Sequence, residues 1–228
     1  MTKQEFAALH TSADPLILYN IWDVGSAQAV ARAGAKAIAT GSHSLAGALG
    51  YGDGQEIPFE QLLVMVRMMS NTVDLPLTID FEAGFADNLD NLGANSNELA
   101  EAGAIGCNFE DQLIGGTGLR DTAEQAERIS VVDQAGLFVN ARTDTFLDVM
   151  KAGEDPNRDD LVDAAIARGL AYKAAGAGSY FIPGLGNPDM IRQVCEAVDL
   201  PINVMRLPGM VGNAELAKLG VARISYGP

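Results

Sequence analysis

Basic residues are scarce: 15 Lys and Arg stand against 30 Asp and Glu, a formal net charge of -15 over 228 residues. That balance excludes a general phosphate-backbone binder, which needs a basic footprint. No nucleic-acid partner is expected, and any anionic substrate must be met by a local cation or a metal. Cysteine is scarcer still. Cys107 and Cys195 are the only two, both in apolar sequence without CxxC or Cys/His spacing, which argues against a disulfide framework or a zinc site and for reduced packing residues. No run approaches the ~18 apolar residues that a membrane helix needs. The start, "MTKQEFAALH", is helical and mixed in charge without the apolar heart of a secretory signal; no membrane partner and a cytoplasmic location are expected. No GxGxxG follows the first apolar run, where "NIWDVGSAQ" stands, so the usual dinucleotide fingerprint is missing. Linkers, low-complexity tracts and repeats beyond a strand-helix period are missing too, and residues 1–228 read as one domain.

What is present is a recurrence of short β-rich runs separated by helix-period segments. Hydrophobic residues make up 48% of the chain, enough for a sizeable core. The runs "LILY" (16–19), "AIAT" (37–40), "LTID" (77–80), "IGCNFE" (105–110), "LFVNAR" (137–142), "SYFIP" (179–183), "INVM" (202–205) and "ARIS" (222–225) read as eight strands. Helices are predicted over 26–34, 58–71, 95–103, 122–136 and 158–176, several closing on "AG", where Gly relieves the left-handed strain of a helix C-terminus. Eight strands alternating with helices are the inventory of an α/β fold of the (β/α)8 TIM-barrel type, with an open doubly wound sheet as the alternative. No eighth helix follows "ISYGP". Either a further C-terminal segment or a neighbouring subunit is expected to cover the eighth strand.

In such a barrel the loops after the strands converge on one mouth, so polar residues at the C-terminal strand ends carry the chemistry. The third strand ends in Asp80, with Glu82 two residues on, and the period of two places both on one face. The fourth ends in Glu110-Asp111 and the fifth in Asn140, Arg142 and Asp144; the long Gly/Ser-rich loop after the second carries Ser42, His43 and Asp53. Carboxylates converging on one mouth repel, and an all-oxygen set suits Mg2+ or Mn2+ better than zinc. His43 is a candidate for proton transfer or a backbone contact, and Trp22 for the pocket wall or for packing. "FIPGLGNP" after the sixth strand reads as a turn and helix start, and His10 as a surface residue.

The motifs "NIWDVGSA", "GYGDGQE", "DFEAGF", "NFEDQ", "NARTD" and "LPINVM" stand in the order and spacing of the isocitrate lyase/phosphoenolpyruvate mutase superfamily, which the chain resembles along nearly its whole length. The resemblance implies a (β/α)8 barrel whose eighth helix is swapped between subunits of a dimer or tetramer, hence a homo-oligomer. It implies Asp80 as the direct Mg2+ ligand, with Asp53, Glu82 and Glu110 holding its waters. Arg142 would clamp a substrate carboxylate, and Ser42 with the backbone N-H groups of Ser42 and His43 would bind the 2-oxo end. Trp22 and Asn203, the latter in "LPINVM", join the substrate-contacting candidates. Such enzymes hold a 2-oxo acid or its precursor on the metal and stabilise an enolate as a carbon-carbon or carbon-phosphorus bond breaks. Lyases of the family carry a lysine/cysteine/glycine/histidine motif after the fourth strand; here the loop reads "EDQLIGGTGLRDTAEQ", with neither Cys nor His. Mutases and phosphonopyruvate hydrolases place a Lys just after the Glu-Asp pair, where Gln112 stands. Thr117 is then the polar candidate on a Gly-rich lid. The expected activity is a Mg2+-dependent carbon-carbon lyase or decarboxylase acting on a small 2-oxo or hydroxy dicarboxylate, oxaloacetate-like sooner than isocitrate. The alternatives are a phosphonopyruvate hydrolase or phosphoenolpyruvate phosphonomutase, and a barrel that keeps the metal but has lost turnover.

Overall fold

Strands form where short apolar runs end in a Gly- or acid-containing turn, and helices form where the apolar period lengthens to 3.6. In the computed structural model, which describes residues 1–227, the order is α1 (Lys3–Ala7), β1 (Leu16–Ile21), α2 (Val24–Arg32), β2 (Ile38–Thr40), α3 (Ser42–Ala48), α4 (Phe59–Ser70), β3 (Leu77–Asp80), α5 (Leu89–Glu101), β4 (Gly106–Glu110), α6 (Thr122–Gln134), β5 (Phe138–Arg142), α7 (Thr145–Lys151), α8 (Asp159–Ala174), β6 (Ser179–Phe181), α9 (Pro188–Ala197), β7 (Ile202–Met205), α10 (Asn213–Lys218) and β8 (Val221–Tyr226). Consecutive strands pair in parallel and β1 pairs with β8, closing the barrel. All eight predicted strands are present, and the open-sheet alternative is overturned by the closure.

Alternation along each strand splits the core in two. Outward residues such as Ile79, Cys107, Phe109, Val139 and Val204 pack under the helices in the larger cluster. Inward residues Leu16, Leu18, Ala37, Ala39 and Phe138 form a smaller cluster that Phe6 of α1 closes from the N-terminal end. His10, expected at the surface, belongs to this plug: it is buried, 5.0 Å from the Phe6 ring and 4.6 Å from Phe138 between centroids. Burial pushes its pKa down to about 3, so it packs as a neutral ring. Above the plug the interior turns polar, in a ring of register partners Asp80, Asn108, Asn140 and Ser179.

Helices α3, α7, α9 and α10 lie outside the predicted helical spans, and α5 begins at Leu89, six residues before the predicted 95–103. Among the described residues no helix follows β8, and Tyr19 on β1, 52% exposed, stacks on Tyr226 of β8 at 4.8 Å. No described helix is long and apolar enough to cross a membrane.

Candidate active site

At the C-terminal end of the barrel lies a cavity of about 260 Å³ whose lining includes Asn20, Ser42, His43, Asp53, Asp80, Asn108, Arg142, Lys151 and Ser225. Asp80 closes β3. Its N-H donates to Thr40 Oγ1 at 2.8 Å and its Oδ2 accepts from the Ser42 N-H at 3.1 Å. Its other oxygen, Oδ1, is buried without a hydrogen-bond partner. Burial raises the Asp80 pKa against the pull of the Arg142 guanidinium.

Glu82 reaches the site by a different route from the one its spacing suggested. The strand stops at Asp80, and Glu82 stands at φ 49, in the left-handed region, followed by Gly84 at φ 88 and Phe85 at φ 53. The even strand period therefore does not extend to Glu82; a strained turn presents it. A side chain at Gly84 would meet Leu92 Cδ1 at 2.3 Å, so the turn requires glycine there. Glu82 Oε2 accepts from the Gln55 N-H at 2.8 Å. Burial, then Asp80 and Asp53, push its pKa up to about 8.

Arg142 is the electrostatic centre. Its Nη1 lies 2.8 Å from Glu110 Oε2, while Nε and Nη2 donate to Asp144 at 2.6 and 2.8 Å in a two-pronged pair. Burial pushes Glu110 up against the pull of Arg142, and the surrounding acids hold the guanidinium well above its ordinary value. The guanidinium carbon sits 5.9 Å from the Phe181 ring centroid. Asp111, paired in sequence with Glu110, turns the other way: it accepts from Arg168 Nη1 at 3.0 Å, Tyr172 Oη at 2.8 Å and the Asp144 N-H at 3.1 Å, and braces the site from behind.

The sequence-derived candidates divide accordingly. Ser42, His43, Asp53, Asp80 and Arg142 line the cavity, with Ser42 and His43 on the first turn of α3; Glu82 and Glu110 stand beside Asp80 as its electrostatic neighbours. Three candidates stand elsewhere. Trp22 is 41% exposed and Thr117 is exposed on the loop before α6; neither lines the cavity. Asn203 is fully buried inside the barrel, its Oδ1 accepting from Asn140 Nδ2 at 2.9 Å, so its side chain is used within the core. Asn20, Asn108, Lys151 and Ser225 line the cavity and were missed.

Among the described residues no three Asp, Glu, His or Cys side chains converge at metal-ligand distances. A Mg2+ held by one carboxylate with waters on the others needs no such cluster. Asp80 Oδ1 fits that role, as a buried oxygen without a partner among acids that repel it.

The phosphoenolpyruvate phosphomutase family model matches residues 6–228. The 2-methylisocitrate lyase of Escherichia coli K12 is 32% identical over 199 residues, 86% of this chain and 67% of its own length. A Burkholderia cenocepacia J2315 crystal structure, provisionally described as a phosphonomutase, superposes with a TM-score of 0.94 at 42% identity, covering 100% of this chain and 93% of that one. Phosphonopyruvate hydrolase in complex with oxalate and Mg2+ shares the fold at a TM-score of 0.84 and 24% identity, over 100% of this chain and 81% of its own. The chain belongs to the phosphoenolpyruvate phosphomutase family, within the isocitrate lyase/phosphoenolpyruvate mutase superfamily of enzymes.

Proposed function

We propose that the protein is a Mg2+-dependent enzyme that breaks a carbon-carbon bond of a small 2-oxo or hydroxy dicarboxylate, by decarboxylation or retro-aldol fission. The observation that carries this reading is the unpartnered, buried Asp80 Oδ1 beside the Arg142 guanidinium in a cavity of about 260 Å³, a volume that suits a compact acid and not a nucleotide. Asp80 would hold Mg2+ directly, and Asp53, Glu82 and Glu110 its waters. When bound there, the cation supplies Lewis acidity at the 2-oxo oxygen.

The chain's own residues bind and orient. Arg142 spends three of its five N-H groups on Glu110 and Asp144, which fixes the plane of the guanidinium and leaves two donors for a substrate carboxylate. The Ser42 N-H, expected to meet the substrate, is spent on Asp80 Oδ2, which leaves the Ser42 hydroxyl and the His43 N-H for the 2-oxo end. The loop from Gln112 to Arg120 has no Cys or His, so the proton for the leaving carbon comes from elsewhere; His43, the imidazole that lines the cavity, takes that role, and Thr117, exposed on the loop before α6, would join it only if that loop closed over the mouth. A carbon-phosphorus reaction is the second reading, favoured by the 42% identical relative provisionally described as a phosphonomutase.

An NMR time course with Mg2+ and a mixture of oxaloacetate, phosphonopyruvate, isocitrate and 2-methylisocitrate separates these readings, with EDTA and protein-free controls to subtract spontaneous decarboxylation. Protein- and metal-dependent loss of oxaloacetate or a methylisocitrate-type acid is expected. Phosphate release from phosphonopyruvate would install the second reading. Mg2+ binding with no compound consumed would favour a barrel that has lost turnover. The same reading carries a homo-oligomer in which a second copy packs over the outer side of β1 and β8, where the half-exposed Tyr19 stacks on Tyr226; a monomer by analytical ultracentrifugation at micromolar concentration would refute it.

A further inference from the structure

Below the mouth the barrel interior holds an arginine where branched apolar side chains are the usual filling. Arg223 on β8 is fully buried, and its Nη2 donates to Asn108 Oδ1 at 3.0 Å; Asn140 Nδ2 donates to the same oxygen at 2.7 Å. Two donors on one oxygen decide which way the Asn108 amide is turned, because only its carbonyl accepts. Its NH2 group must therefore point away from both. Nδ2 is not among the atoms sealed off without a partner, and Asn108, 5% exposed, lines the mouth cavity. Its accessible donor faces that cavity. Asn108 is also the register partner of Asp80 across β3 and β4, which puts the two inward side chains roughly 5 Å apart on neighbouring strands.

A satisfied polar core is the plainer explanation, and Arg223 speaks against it. Its Nε and Nη1 are buried without partners, a costly state for a cation. Burial lowers its pKa to about 9, with Asp80 and Cys107 opposing that shift, so it stays charged at neutral pH. Such a residue is poor core filling, yet its one side-chain partner is the oxygen that orients Asn108.

We infer that the side-chain amide of Asn108 donates to the substrate oxygen that takes up negative charge when the bond breaks, and that Arg223 is the positioning residue that holds this amide. The inference rests on the functional reading above, in its decarboxylation of a 2-oxo dicarboxylate: the electron pair of the carbon-carboxylate bond moves onto the 2-oxo oxygen as CO2 leaves, and a donor fixed in advance stabilises that charge without reorganising.

The test uses oxalate, a stable dianion shaped like the charged 2-oxo acid end, titrated calorimetrically into the Mg2+-loaded protein. Asn108→Ala should bind oxalate at least tenfold more weakly while Mg2+ alone binds within about twofold of wild type. Arg223→Met should reproduce the oxalate loss, and Arg223→Lys, which can still reach Asn108 Oδ1, should recover part of it. Should Asn108→Ala fail to fold, the wild-type protein decides through 15N-resolved spectra, in which the Asn108 side-chain amide protons move downfield on saturation with oxalate. An unmoved Asn108 resonance, or oxalate affinity unchanged in Asn108→Ala, would overturn the inference and leave the functional reading standing. Wild-type protein that takes up Mg2+ and no oxalate would sink that reading, and the inference with it.

Discussion

Replacing Asp80 should separate function from stability, because the oxygen that fits a cation is a buried acceptor with nothing to accept. Asp80→Ala is expected to lower turnover at least ~100-fold, as befits loss of metal chemistry, and to abolish tight Mg2+ binding. Its melting temperature in EDTA should equal or exceed that of wild type, because an unfavourable buried charge is removed. A fully active variant would remove Asp80 from the metal site. Arg142→Lys replaces a planar fork by a point charge. Oxalate affinity should fall by a factor of ten or more, with a loss of stability as Asp144, whose side chain is fully buried, loses its two-pronged partner; unchanged affinity would take Arg142 off the substrate. Asp80, Asp53, Ser42, His43 and Arg142 were legible in sequence because polar residues at strand ends meet at a barrel mouth. Asn108 was not, since it sits inside the apolar-looking run "GCNFE" and only the register shows which way it faces. Lys151 was missed with the helix that carries it, and Asn203 was placed too high, its motif saying nothing about which layer of the barrel it fills.

Elements whose helical character comes from tertiary contact rather than propensity escaped the sequence. Helix α3, "SHSLAGA", contains Gly47 and has no side-chain N-cap; α10 has six residues. Both are too short to hold themselves in water and are fixed by packing on the barrel. The segment after β4 keeps its loop character. Gln112 bridges Leu119, the Leu113 N-H donates to Gly118 O at 3.1 Å, and Gly115 and Gly118 stand at φ 70 and 82 with open space around them. Its base is fixed: Arg168 Nη2 donates to Arg120 O at 3.0 Å while Nη1 holds Asp111. A tip with few contacts on an anchored base is the build of a lid. Chymotrypsin should cut after Leu113 or Leu119 in the free protein, and Mg2+ with oxalate should slow that cleavage at least fivefold. Equal rates with and without ligand would leave the segment a passive loop.

At the scale of the molecule the barrel was readable because eight strand-helix alternations leave few topologies, whereas the burial of the acids is a property of the closed mouth and has no sequence signature. That burial sets the pH response. Glu82, ordinarily near 4.5, is raised to about 8, and Asp80 and Glu110 move in the same direction. Between those values the folded protein binds more protons than the unfolded chain, so stability is greatest on the acid side of the window and falls as pH rises from about 4.5 to about 8. The net charge of -15 adds self-repulsion of the same sign, so the slope alone does not identify the site. Glu82→Gln does: it keeps an acceptor for the Gln55 N-H and removes the titration, and should flatten part of the decline in EDTA. Mg2+ should raise the melting temperature more at pH 8 than at pH 5.5, since it binds the deprotonated acids, and it should do so less in Asp80→Ala. A wild-type melting temperature in EDTA that rises through this window would mean that the acids are ionised and relaxed in the free protein, and that the mouth holds its charge without needing a cation.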